Sequence, residues 1–193
     1  VVAASGGRAT TDRPDDGNGL QLHVLYVLSA DAQDRQLDTN GAIARSVAAA
    51  NAWLAQQTGG PKLRLDTAGG ALDVTFYRSA KTHAQLGPTP DDWHTALADE
   101  LQAAGFDKLT KTYAFYYGGG TPSREPGSRV VGVGGSGYAS VLLSQCTDCT
   151  LANSDQSVGT EEYTLLHETI HALGYVPACA PHATTTEHIG DDP

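Results

Sequence analysis

Two periods of apolar residues run through the chain, and their alternation outlines its elements. Leu20-Gln21-Leu22-His23-Val24-Leu25-Tyr26-Val27-Leu28 alternates and then thickens into an apolar run, which predicts a central strand. His23 within it is expected to be a core or face residue rather than a ligand. Over 39–57, Ile43, Val47, Ala50 and Leu54 recur at three- and four-residue spacing and Gly59-Gly60-Pro61 follows, so a helix is predicted with a sharp stop. Two strands, 62–66 and 72–77, come next, joined by the turn Ala68-Gly69-Gly70-Ala71. Thr89-Pro90-Asp91-Asp92 opens a second helix: Thr89 can cap, Pro90 suits the first helical position and Asp92 completes a capping box. Trp93, Leu97, Leu101 and Ala104 form its apolar stripe, and Gly105 ends it.

A strand of aromatic and β-branched residues spans 112–117. The glycine-rich stretch 118–137 follows, in which Gly132, Gly134 and Gly137 match G-x-G-x-x-G. A dinucleotide site needs a helix opening at that motif, yet 138–143 has the composition of a strand. A glycine-rich hairpin or edge strand beside a cleft fits better, and an edge around 130–143 could pair with an extended peptide. The last helix is expected to start near Thr160, with Glu161 and Glu162 at the positive end of its dipole. Leu166, Ile170 and Leu173 would pack on the sheet, with His167, His171 and Gly174 on the neighbouring face. The order β-α-β-β-α-β-β-α predicts an α+β domain, a mixed sheet backed by helices. Residues 1–19 are polar and expected to form a flexible N-terminal arm, leaving 20–193 as one domain.

Composition narrows the function classes. The 193 residues are 40% hydrophobic and 18% charged, with a formal net charge of −10. That balance is globular, and it disfavours a nucleic-acid groove or an anionic membrane surface. No apolar run is long enough to span a bilayer. Methionine is absent throughout and no signal-peptide pattern is visible. A targeting segment removed before Val1, or simple trimming, accounts for both. Of the three cysteines, Cys146 and Cys149 precede the last helix and Cys179 follows it. A structural disulfide from Cys146 or Cys149 to Cys179 would tie the two loops together, which points to a secreted protein.

The chemistry concentrates in His167-Glu168-Thr169-Ile170-His171, followed by Gly174. On a helix, residues four apart share a face, so both imidazoles can reach one metal ion. Neutral imidazole suits zinc, and a catalytic zinc keeps three protein ligands and a water. Glu168 stands beside the pair, placed as general base toward a zinc-bound water. Gly174 accepts the left-handed conformation that ends the helix. Ser136 is not in a G-x-S-x-G elbow, since Tyr138 takes the last position. Glu187, the only downstream glutamate, has too little chain after it for the later helix that a thermolysin-like third ligand needs. Calcium is compatible with Asp191 and Asp192, although two adjacent carboxylates are a thin ligand set.

At these residues the chain resembles the metzincin zinc metalloproteases, whose motif H-E-x-x-H-x-x-G-x-x-H or -D precedes a methionine turn beneath the metal. The specific likeness covers 161–174, and the element order extends it to roughly 20–174. The segment from Gly174 to His182, with His188 and Asp191, looks like a secreted bacterial metzincin-like group in which a longer loop precedes the later His and Asp. The resemblance implies a zincin fold with a mostly parallel twisted sheet, zinc-dependent endopeptidase activity on protein or peptide substrates, and secretion. Pro177 stands where metzincins carry the third ligand and cannot bind zinc. The resemblance therefore puts that role on His188 first, His182 second and Asp191 third. The methionine turn is expected beyond Pro193 or lost by processing, so the domain is read as truncated in its C-terminal part. An inactive zinc-binding module acting in protein binding is the alternative that Pro177 and the missing turn favour, and Glu168 opposes.

Overall fold

The computed structural model describes residues 8–120, 132–143, 151 and 158–174. Its centre is β1 (Gln21–Leu28), buried at every position. β4 (Val74–Arg78) and β5 (Lys111–Tyr117) lie parallel to it on either side. β7 (Tyr138–Leu142) is parallel to β5, and β6 (Gly132–Gly135) is antiparallel to β7 at the edge, giving the order β4-β1-β5-β7-β6. The chain is therefore α+β, with a mixed, mostly parallel sheet backed by helices.

Helices cover both faces, which is why β1 reads as a nearly continuous apolar run. Leu22, Val24, Tyr26 and Leu28 face one layer, where Ile43, Val47 and Ala50 of α1 (Ala42–Thr58) meet Leu165 and Leu166 of α4 (Thr160–Ala172). Leu25 and Val27 face the other, packed with Trp93, Leu97 and Leu101 of α3 (Pro90–Ala103). The expected capping box is present: Asp92 N donates to Thr89 Oγ1 at 3.3 Å, and Thr89 N to Asp92 Oδ2 at 3.0 Å. Ala104 is exposed rather than part of the stripe, because α3 ends one residue earlier and Phe106 closes the core in its place.

Two local expectations are revised. Residues 62–66 form no full strand. Leu65 makes a single parallel bridge to Leu22, and the chain then leaves the sheet in a hairpin of β2 (Thr67–Ala68) and β3 (Ala71–Leu72) before rejoining it as β4. Gly69 and Gly70 turn that hairpin at φ 63° and 77°, a region open to glycine. The four-residue helix α2 (His83–Leu86) is too short to show a period.

The N-terminal arm, expected to be mobile, is bonded down from Arg8 onward. Ala9 bridges Thr75 on the β4 edge, and Phe76 N donates to Ala9 O at 2.8 Å. Arg8 pairs with Asp38 at 2.6 Å and stacks over Phe76 at 3.9 Å. Arg13 pairs with the buried Asp73 at 2.7 Å, and Asp16 accepts from Gly69 N and Gly70 N at 2.9 and 2.7 Å. Composition alone marks such a segment as solvated. Here its charges each find a partner in the folded domain.

Beneath the arm lies a buried charged centre. The Lys111 ammonium, wholly inaccessible, contacts Asp12 at 2.8 Å, Asp15 at 2.7 Å and Asp66 at 2.6 Å. Asp66 also bonds His23 Nδ1 at 2.6 Å, and His23 Nε2 lies 3.1 Å from Thr75 Oγ1. His23 is thus the core residue that its strand position predicts.

Candidate metal centre

α4 begins where its acidic first turn predicts: Gly159 N donates to Glu162 Oε2 at 2.8 Å, satisfying one orphan helix donor. It ends at Leu173–Gly174, where Gly174 adopts φ 71° and its N–H donates to His171 O at 2.9 Å. The buried face differs from the expected stripe. Leu166 is buried and Leu173 half-buried, but Ile170 is 41% exposed. Leu165, Thr164, Glu168 and Thr169 are turned inward instead. Thr169 can occupy the core because its hydroxyl donates to Leu165 O at 2.6 Å.

The four-residue spacing on α4 brings the motif's imidazoles together. His167 Nε2 and His171 Nε2 are 3.1 Å apart. Two nitrogens bound tetrahedrally to one zinc at about 2.0–2.1 Å would be about 3.3 Å apart, so the pair fits a shared ion with little adjustment. One ligand-capable atom from each of His167, Glu168 and His171 lies within 4.8 Å of the others. These residues can hold a metal ion. Both imidazoles are half-buried, whereas Glu168 is buried. Burial, with a smaller push from the Asp91 carboxylate, raises the Glu168 pKa to about 7. Its carboxyl is thereby poised between proton acceptor and donor near neutrality.

β6 frames the site, and its glycines explain the spacing that mimics a nucleotide motif. A Cβ on Gly132 would lie 2.7 Å from Glu168 Cγ and 2.6 Å from Ser140 O. A Cβ on Gly134 would run into Glu168 O and lie 2.9 Å from His171 Cβ. Gly132 and Gly134 let the edge strand touch α4 directly beside Glu168 and His171. Gly134→Ala is expected to lower unfolding stability by about 1–3 kcal/mol through overpacking against backbone that cannot yield. Gly135→Ala, which meets nothing within 4 Å, should change it little. Urea denaturation of both variants tests this.

On the other side of β7, Ser140 Oγ donates to Val133 O at 3.0 Å and lies 3.1 Å from His94 Nδ1. Burial lowers the His94 pKa to about 4, against an opposing pull from Asp91.

Comparison with protein-family models, characterised proteins and solved structures finds no match for this chain. Among the described residues, no helix is long and apolar enough to cross a membrane. His188, His182, Asp191, Asp192, Glu187 and Pro177 lie outside the described residues, as do Cys146, Cys149 and Cys179. A second group, Asp12, His23, Asp66 and Asp73, also has metal-ligand spacing. The chain's own cations already neutralise it, through Lys111 on Asp12 and Asp66 and Arg13 on Asp73. No sequence motif signals this group, because its members come from the arm, β1 and the two ends of the β2–β3 excursion.

Proposed function

We propose that the protein is a zinc-dependent endopeptidase of metzincin type. The observation that carries this is the convergence of the two imidazole nitrogens, 3.1 Å apart, with Glu168 beside them. Metal binding alone needs no such carboxylate. His167 and His171 would hold the ion, with His188 as the third ligand implied by the resemblance and His182 and Asp191 behind it. Zinc, when bound, supplies a Lewis acid that lowers the pKa of water to about 7. Glu168 takes the proton of the attacking water and passes it to the leaving amine. Its burial keeps bulk water from competing for that proton. The outer side of β6 has no strand partner among the described residues, which supports docking of an extended peptide beside α4. A mixed sheet with the H-E-x-x-H helix late in the chain is also what the resemblance implies.

The test is cleavage of a mixed peptide library by the full chain. Activity should disappear with a chelator and return with stoichiometric zinc. Zinc binding without cleavage would favour the inactive binding module, and cleavage indifferent to chelator would exclude the metal mechanism.

A further inference from the structure

α4 carries a carboxylate where its packing against α1 would admit a hydrophobic side chain. Glu162 is fully buried, five residues before His167. Its Oε1 accepts from Ser46 Oγ of α1, while Oε2 takes the Gly159 amide. Ser46 Oγ also lies 3.0 Å from the Tyr116 hydroxyl of β5, and both residues are fully buried. The proton directions follow from the inventory of donors. A carboxylate accepts, so the one Ser46 proton goes to Glu162, and Tyr116 donates its own to Ser46. Burial raises the Tyr116 hydroxyl far above the usual phenol range. That donor therefore persists near neutral pH.

Apolar contacts between α1 and α4 tolerate small slides and rotations, whereas hydrogen bonds weaken steeply with distance and angle. Metal ligands must be held within about 0.5 Å and 10–20° of their working geometry. We propose that Ser46 and Tyr116 are positioning residues for the metal ligands. The Tyr116–Ser46–Glu162 chain fixes the rotation and height of α4 against β6, and so where the His167–His171 pair sits beside Gly134. This rests on the metal reading above.

The experiment measures zinc affinity of the full chain by competition with a chromophoric chelator, with urea stability of the metal-free form in parallel. Ser46→Ala should bind zinc roughly 10–100-fold more weakly, the range for groups that orient metal ligands. Ser46→Thr, which keeps the hydroxyl, should stay within about threefold. Tyr116→Phe, nearly isosteric, provides a second variant if Ser46→Ala folds poorly, and should fall between them. Leu101→Val, in the opposite layer, is the control: it lowers stability and should leave zinc affinity intact. Ser46→Ala and Tyr116→Phe binding zinc like wild type would overturn the proposal, as would Leu101→Val weakening zinc equally. A wild-type chain that binds no zinc overturns the metal reading itself, and that result is visible before any variant is compared.

Discussion

Glu168→Gln is expected to reduce peptide cleavage by about 10²–10⁴-fold while the zinc content stays unchanged. The substitution keeps shape and volume at a buried position beside β6, so α4 should hold its place. What it removes is the group positioned to accept a proton at neutral pH. An amide cannot do so, and among the described residues no other carboxylate joins the His167–His171 group. The measurement is kcat/KM on a quenched peptide, with zinc content determined on the same sample. Retention of more than about a tenth of wild-type activity would remove Glu168 from the role of base. Loss of zinc together with activity would mean that Glu168 binds the metal rather than serving it.

The largest stability effect is expected at Lys111, far from the chemistry. Lys111→Met should destabilise the protein by about 3–5 kcal/mol, because it leaves buried carboxylates without their cation. Burial alone would lower the Lys111 pKa, but its bonds to Asp12, Asp15 and Asp66 outweigh burial and raise it well above the usual value. Burial would likewise raise Asp66, yet the bonds from His23 and Lys111 hold it below the usual aspartate range. A raised lysine contributes stability that is full below about pH 10.4 and fades as pH rises through its folded value. A depressed aspartate contributes above about pH 3.9 and fades as pH falls below that. The clamp should therefore be at full strength from about pH 5 to pH 9 in wild type, and much reduced in the variant across that range. Urea midpoints measure the loss, and hydrogen exchange at the Phe76 amide, which bonds Ala9 O, reports whether the arm has been released. A change under about 1 kcal/mol would show that the cluster contributes little.

Much of the scaffold was legible because its signals are local. The apolar run of β1, the period of α1 and the Thr89–Asp92 box each depend on neighbours in sequence, and each element appears within a few residues of its expected place. The motif on α4 was legible for the same reason, since four-residue spacing on a helix is a geometric statement. Contacts between distant segments were not. Ile170 reads as core by period, but its helix is rotated by the approach of β6 at Gly132 and Gly134 and by a buried Thr169. Glu162 reads as an acid suited to the helix dipole, and its bond to Ser46 joins residues 116 positions apart. The arm reads as solvated because composition cannot show that Asp12 and Asp15 meet a lysine nearly a hundred residues away. Gly132 and Gly134 were visible as an edge-strand signal, though not as the point where that edge meets α4 beside Glu168 and His171.

Whether α4 gathers a zinc site is decided by titrating the metal-free full chain with zinc. One tight equivalent per chain is expected in wild type, with at least a roughly 100-fold loss of affinity in His171→Ala, more than the loss expected for a merely orienting group. Absence of zinc binding in wild type, or binding that His171→Ala leaves unchanged, would contradict it.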